Sequence, residues 1–164
     1  MKLRILKPRC FVSFTRNDDG GTLAELAILL PLLAVMLAAV SEFGRYFQTY
    51  NTLAKATRSA TRYLSNHPLN DDEKNKARNL VVCGKLTACA SSEKLTPGIN
   101  TTSVCIETTG DPIVETVTVR IPRVAGDCGA PVTYQPIFNL GALLHNGLSM
   151  ALPVAPSTTM RYVN

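Results

Sequence analysis

The sequence lacks the short patterns on which most enzymes depend. It has no Gly-x-Ser-x-Gly turn, no glycine-rich phosphate loop and no His-Glu-x-x-His helix. Its two histidines, His67 and His145, are not spaced as metal ligands are, and no Cys-x-x-Cys pair occurs. We therefore expect no catalytic residue, no metal site and no cofactor, and we do not expect an enzyme.

The sequence also lacks the basic surface of a nucleic-acid-binding protein. The net charge is +5, but residues 1–20 hold five basic and two acidic side chains, and the remainder is nearly balanced. The few aromatic residues do not alternate with basic ones in a stripe. Because basic residues mark the cytoplasmic flank of a membrane helix, we expect the N-terminus in the cytoplasm and the C-terminal domain outside.

An apolar run over residues 23–40 is the longest uniform stretch of the chain. Of its 18 residues only Glu25 and Pro31 are not apolar, and this length is at the threshold for a helix that crosses a bilayer. Pro31 is expected to kink the helix because proline removes one backbone hydrogen bond. An ionised Glu25 in lipid costs about 3 kcal/mol, so its presence calls for a charged partner.

A helical pattern continues beyond the apolar run. A semi-apolar stripe recurs at intervals of three and four residues: Phe43, Phe47, Tyr50, Leu53, Ala54, Thr57, Ala60, Thr61 and Leu64. We expect one long helix over residues 21–65, first membrane-spanning and then amphipathic. Glu42 and Arg45 are expected to form a surface pair. Tyr46 and Tyr50 suit either the membrane interface or packing on the globular domain, and the sequence does not choose between them.

A small domain over residues 66–164 is expected to follow the long helix. Asn70 precedes three acidic residues, which is typical of a helix start with a capping side chain and acids in the first turn. The second helix is predicted from Asp71 to about Val82, with its end near Gly84.

The rest of the domain reads as extended chain with turns. Strands are expected over 102–108 and around 116–121, joined as an antiparallel hairpin by a turn at 109–112. Residues 138–148 have near-helical leucine spacing. A final extended segment over 149–163 contains prolines, which suits the edge of a sheet. The predicted fold class is therefore α+β, with an antiparallel sheet and a short helix beside the long one.

The cysteines are expected to cross-link this domain through disulfide bonds. Cys10 lies in the leader, whereas Cys83, Cys89, Cys105 and Cys128 lie in the part expected to face an oxidising compartment. Four cysteines allow three pairings, and the sequence cannot choose among them; we favour Cys83 with Cys89 and Cys105 with Cys128. A zinc site is the rival interpretation.

Several features between residues 16 and 65 occur together in one known family. They are the basic leader, Gly20-Gly21, Glu25, the run Leu26-Ala27-Ile28-Leu29-Leu30-Pro31-Leu32-Leu33 and the exit Glu42-Phe43-Gly44-Arg45. In these features the chain resembles the TadE-like minor pseudopilins of the bacterial tight-adherence (Tad) pilus, within the type IV pilin superfamily. It departs from other pilin classes in having Gly21, rather than Phe or Met, directly after the position at which such proteins are cleaved. It is also longer than the major pilins of this pilus, which favours a minor subunit.

The resemblance implies a processed assembly subunit. Residues 1–20 would be a cytoplasmic leader that a prepilin peptidase removes after Gly20. Gly21 would then carry the new amino group, and Glu25, the fifth mature residue, would pair with that group on a neighbouring subunit. The implied partners are the peptidase, other pilins, the assembly machinery and the membrane. The implied location is the bacterial inner membrane, with the domain in the periplasm or the pilus.

Other functions remain open from the residues alone. The chain could be an unprocessed single-pass protein whose outer domain binds a ligand or an envelope component. A membrane-tethered enzyme would need a polar site, which the spacing of Asp111, Asp127 and the histidines does not suggest. Conventional secretion with cleavage near Ala38-Ala39-Val40 is a further alternative, in which the Gly-Gly pair has no role.

Overall fold

The computed structural model describes residues 19–110, 115–138 and 151–163. Four expectations from the sequence fall wholly or partly outside these residues. They are the leader, the second half of the turn at 109–112, the leucine-spaced segment over 138–148, and the first two residues of the extended segment over 149–163.

One continuous helix, α1, runs from Asp19 to Leu64 and continues through Pro31. Its first half is rich in alanine and leucine, which are among the strongest helix formers. The chain divides into two compact units, Met1–Leu37 and Ala38–Asn164. The long helix predicted from the sequence is therefore present, and its second part belongs to the globular unit.

The second helix, α2, runs from Asp71 to Cys83, close to the predicted bounds. The Asn70 side chain caps it by accepting a hydrogen bond from the Glu73 backbone N–H at 2.8 Å. At the other end Gly84 adopts the left-handed conformation with φ of 70° and donates its N–H to the Leu80 carbonyl. A side chain at that φ would be strained, so glycine suits this position.

A three-stranded antiparallel sheet completes the fold. Its strands are β1 (Cys105–Gly110), β2 (Glu115–Arg120) and β3 (Ser157–Arg161), in the order β1-β2-β3. Strand β1 pairs with β2 from Cys105 opposite Arg120 to Gly110 opposite Glu115. The fold class is α+β, as the sequence predicted, and β3 lies at the edge of the sheet.

The beginning of the first strand differs from the sequence prediction. Residues Thr101–Ser103 form a short 3-10 turn, in which the Ser103 N–H donates to the Asn100 carbonyl at 2.9 Å. Strand β1 therefore starts later than the predicted residue 102. It also extends through Thr109 and Gly110, which were expected in a turn, because the ladder with β2 continues to that point.

The core of the globular unit lies between α1, α2 and the sheet. Its fully buried apolar side chains come from these elements and from two connecting segments: Leu53, Ala60, Leu64, Ala77, Val81, Ile99, Val117, Val119 and Val154. Val117 and Val119 alternate with partly exposed residues along β2, which confirms the predicted half-buried strand. Each larger side chain contributes about 1.5–3 kcal/mol on leaving water.

The first part of the predicted stripe on α1 is wrong. Phe43 and Phe47 are 65% and 55% exposed, whereas Glu42 is only 1% exposed. Glu42 lies three full turns before Leu53 and so shares its face of the helix, while Phe43 is rotated by about 100° from that face. From Leu53 to Leu64 the stripe is largely correct, since Leu53, Thr57, Ala60, Thr61 and Leu64 are buried; Ala54 is only partly buried, and Ala56 is buried although the stripe did not include it.

Candidate functional site

The proposed processing and assembly residues lie at the beginning of α1. Gly20 and Gly21 fall in its first turn, and Glu25 follows within the next. The Glu25 side chain is exposed. A Cβ atom at Gly21 would meet no other atom within 4 Å. This end of the helix therefore presents the carboxylate of Glu25 to whatever surrounds the helix.

The apolar run of α1 is uncovered in the part of the chain that the structure describes. Except for Val35, which is 37% exposed, its large side chains are more than half exposed: Leu23, Leu26, Ile28, Leu29, Leu30, Leu32, Leu33, Met36, Leu37 and Val40. By length and composition α1 can cross a membrane, and it is the one helix among the described residues that meets both criteria. Lipid, or apolar helices of other subunits, would remove these side chains from water.

Just beyond the apolar run, the Glu42 carboxylate is buried in a set of hydrogen bonds. Its Oε2 accepts from the Tyr134 hydroxyl at 2.5 Å. Its Oε1 accepts from the backbone N–H groups of Ile137 and Phe138 at 2.8 and 2.9 Å. Two consecutive N–H groups aimed at one oxygen form a small anion-binding nest. Glu42 therefore fastens the segment 134–138, about 95 residues further along the chain, to α1.

These hydrogen bonds favour the ionised form of Glu42. The Tyr134 hydroxyl and then the Phe138 N–H lower the pKa of Glu42, against an opposing effect of burial, with smaller help from the Ile137 N–H and the Arg45 charge. Burial, followed by the bond to Glu42, raises the pKa of Tyr134. The expected surface pair of Glu42 and Arg45 is thus wrong, because the carboxylate faces the domain while Arg45 stays exposed.

Tyr46 packs on the globular domain. Its ring meets that of Tyr134 edge to face, with centroids 5.7 Å apart and planes at 88°. Its hydroxyl donates to the Pro153 carbonyl at 3.3 Å. Of the two alternatives left open for this tyrosine, packing is the one observed. Tyr50, by contrast, is 37% exposed.

Two disulfides hold the loops of the domain. Cys83 at the end of α2 bonds to Cys89, and Cys105 at the start of β1 bonds to Cys128. These are the pairs that we favoured from the sequence, and they leave these four thiols unable to bind zinc. In the described part of the chain, no group of three or more His, Cys, Asp or Glu residues is arranged to hold a metal ion.

An ion cluster lies beside the second disulfide. The Arg120 guanidinium contacts Glu107 at 2.6 Å and also pairs with Asp127, next to Cys128. The arginine lowers the pKa of Asp127, and the two carboxylates raise that of Arg120. The carboxylates are partly exposed, so each pair adds little stability on its own.

The sequence analysis missed the role of Glu42 because it assigned polar residues of α1 to the exposed face. The spacing of Glu42 along the helix is the signal that could have revealed this role. Glu42, Tyr46 and Leu53 recur at helical intervals, and an acid on that face must find donors when the face is covered. The donors come from Tyr134 and from two backbone groups, whose positions no local pattern reveals.

These features define an α+β protein whose N-terminal helix is long and apolar enough to be a single membrane span. Residues 20–62 match the family described as TadE-like protein. The match confirms the resemblance read from the sequence and supports a membrane protein related to the Tad pilus. That family is not an enzyme family. No curated protein and no solved structure gave a match.

Proposed function

We propose that the protein is a minor pseudopilin that enters a Tad-type pilus or its assembly base. The observation that carries this proposal is the TadE-like match over 20–62, which falls on a helix with uncovered apolar side chains. Such a helix suits the inner membrane before assembly and a bundle of pilin helices afterwards. The globular unit would then be carried outside the bundle as a structural module rather than a catalytic one.

The N-terminal residues support a processing step in this proposal. A prepilin peptidase would cut between Gly20 and Gly21, leaving a leader of residues 1–20, a helix over 21–65 and a domain over 66–164. The new amino group would pair with Glu25 of a neighbouring subunit, where scarce water strengthens the attraction. An unpaired acid would disfavour wrong registers, so the pair acts as a check on docking. Pro31 would bend the helix within the bundle.

The disulfides support an outward-facing domain. Structural disulfides persist in oxidising compartments such as the periplasm, and both lie after α1. The five basic residues of the leader favour a cytoplasmic N-terminus. The proposed topology is therefore a single-pass protein with its N-terminus inside and its domain in the periplasm or the pilus.

The processing step is tested by Gly20→Val. A branched side chain would obstruct the peptidase, so we expect the full-length precursor to accumulate on a gel. The Gly21→Ala protein is the matched control and is expected to be cut. The mature N-terminus of the wild type, read by mass spectrometry, should begin at Gly21. Two results would contradict the processing step and favour an unprocessed single-pass protein. One is a wild-type protein that retains Met1, and the other is a Gly20→Val protein with wild-type mobility.

A substitution at Glu25 separates the processing step from assembly. Glu25→Gln removes the charge without altering the Gly-Gly pair, so the variant should be cut normally but recovered in sheared pili at a level at least tenfold lower. Normal incorporation of this variant would contradict the role proposed for Glu25 while leaving the cleavage result intact.

A further inference from the structure

The globular unit exposes a group of large apolar side chains near its N-terminal end. Val40, Phe43 and Phe47 of α1 are 69%, 65% and 55% exposed, and Ile137 and Phe138 are 63% and 50% exposed. We call these five residues the collar. Large apolar side chains exposed in this way are unfavourable in water and are typical of contact surfaces.

Glu42 brings the two parts of the collar to the same level of α1. Its carboxylate receives the N–H groups of Ile137 and Phe138 within 3 Å. The backbone of these two residues is therefore held beside the helix turn that carries Phe43. A buried acid needs such donors to offset its desolvation. The result is a loop fixed in place while its two apolar side chains point to solvent.

The position of the collar along α1 matches the boundary zone of a bilayer. Val40 ends the apolar run, and a rise of about 1.5 Å per residue places Phe43 and Phe47 about 5 and 10 Å beyond it. This interval corresponds to the headgroup and upper acyl region, where aromatic side chains are favoured. The exposed Arg45 lies in the same interval, where its guanidinium can pair with the phosphate groups of lipid headgroups.

We propose that the collar is a lipid-contact surface that seats the globular unit on the bilayer at the point where α1 emerges. This inference rests on the membrane anchoring in the proposed function and adds a second membrane contact, made by residues outside the span. Glu42 is the positioning residue, since it holds Ile137 and Phe138 at that depth. Release of the collar from lipid would then accompany entry of the subunit into a pilus.

The absence of tryptophan from the chain allows a direct test. Phe138→Trp places a single fluorophore in the collar, Leu33→Trp places one in the apolar run, and Leu86→Trp places one near the end of α2. Each full-length protein is reconstituted in phosphatidylcholine–phosphatidylglycerol vesicles with or without brominated acyl chains. We expect bromolipid to quench the Phe138→Trp and Leu33→Trp proteins at least twofold and to leave the Leu86→Trp emission nearly unchanged.

The three probes separate failure of the collar from failure of the anchor. If Leu33→Trp is quenched but Phe138→Trp is quenched no more than Leu86→Trp, the collar proposal is overturned and the anchor stands. If Leu33→Trp is also unquenched, the membrane anchor fails with it. Phe138→Trp emission that depends on the protein-to-lipid ratio but not on bromine would overturn the lipid assignment in favour of a second copy of the chain.

A second variant tests the positioning role of Glu42. Glu42→Ala in the Phe138→Trp background removes both acceptor oxygens, so bromolipid quenching should fall at least twofold. Circular dichroism in the same vesicles checks that the helix content is retained. Unchanged quenching in a folded Glu42→Ala protein would show that the collar does not depend on Glu42.

Discussion

At the scale of single residues, one carboxylate connects α1 to the segment 134–138 of the globular unit. Glu42 is the most deeply buried charged side chain among the described residues, and three donors surround it. Losing a donor to a buried charged group is more costly than losing a neutral hydrogen bond. The hydrogen bonds of Glu42 therefore affect both the stability of the domain and its response to acid.

The lowered pKa of Glu42 sets the direction of the pH effect. Its ionised form is favoured in the folded state, so its contribution is fully present above the unfolded pKa of about 4.3. That contribution is lost as the pH falls through the lower folded pKa. Glu42→Gln should therefore lower Tm by roughly 5 °C at pH 7, with the difference shrinking below about pH 4. Thermal unfolding in detergent micelles, monitored by circular dichroism, measures the Tm difference at pH 7 and its change with pH.

The control for this prediction is Glu93→Gln. Glu93 is half exposed and pairs with Lys85 at 3.4 Å, so its removal should change Tm little. Asp127 and Glu73 also have lowered pKa values, which makes the parent protein acid-sensitive in its own right. The prediction therefore concerns the difference between variant and parent. A constant difference from pH 7 to pH 3 would show that the charge of Glu42 is immaterial.

At the scale of elements, α1 has two apolar faces with different neighbours. One face, including Leu53, Ala60 and Leu64, is fully buried in the domain core. The other, including Phe43 and Phe47, is exposed. The two faces point in different directions because successive residues of an α-helix are rotated by about 100°. Apolar residues that look equivalent in the sequence therefore lie on different sides of the helix.

The difference between the faces predicts opposite outcomes for truncation. Leu53→Ala leaves a cavity in a core position that is 0% exposed and should cost about 2–5 kcal/mol. Phe47→Ala on the exposed face should cost about 0.5 kcal/mol or less. Urea unfolding of both full-length variants in the same micelles gives the comparison. Equal losses would mean that Phe47 has a core partner in the folded protein.

At the scale of the whole molecule, the chain joins an apolar helical segment to a cross-linked globular unit. The two disulfides close loops of different length, with separations of 6 and 23 residues. Each limits the unfolded chain, and the longer loop loses more entropy when closed. The Cys105–Cys128 bond also secures the loop that carries Asp127, which Arg120 holds from β2.

Removing each disulfide should therefore have a graded effect. In the chain-entropy description Cys105→Ala with Cys128→Ala costs about 3 kcal/mol, and Cys83→Ala with Cys89→Ala costs about 2 kcal/mol. Urea midpoints of the two double variants, measured under oxidising conditions, test the order. A larger loss from the shorter loop would indicate that native packing near Cys83, rather than loop closure, dominates.

Much of the secondary structure could be read from local patterns. The apolar run, the Asn70 cap with its acids and the alternation along β2 are signals within a few residues of each other, and all three elements are present. The start of β1 could not be read this way. Thr102 is β-branched, as strand residues often are, but a hydrogen bond from the Ser103 N–H to the Asn100 carbonyl holds the segment in a turn.

The sequence by itself determined that a long apolar helix precedes a small α+β domain, and it carried the TadE-like features of residues 20–62. Those properties depend on composition and short-range periodicity. Only the tertiary structure decided which face of α1 is buried and what Glu42 does. Its donors lie more than 90 residues away, so the role of this carboxylate exists only once the chain has folded.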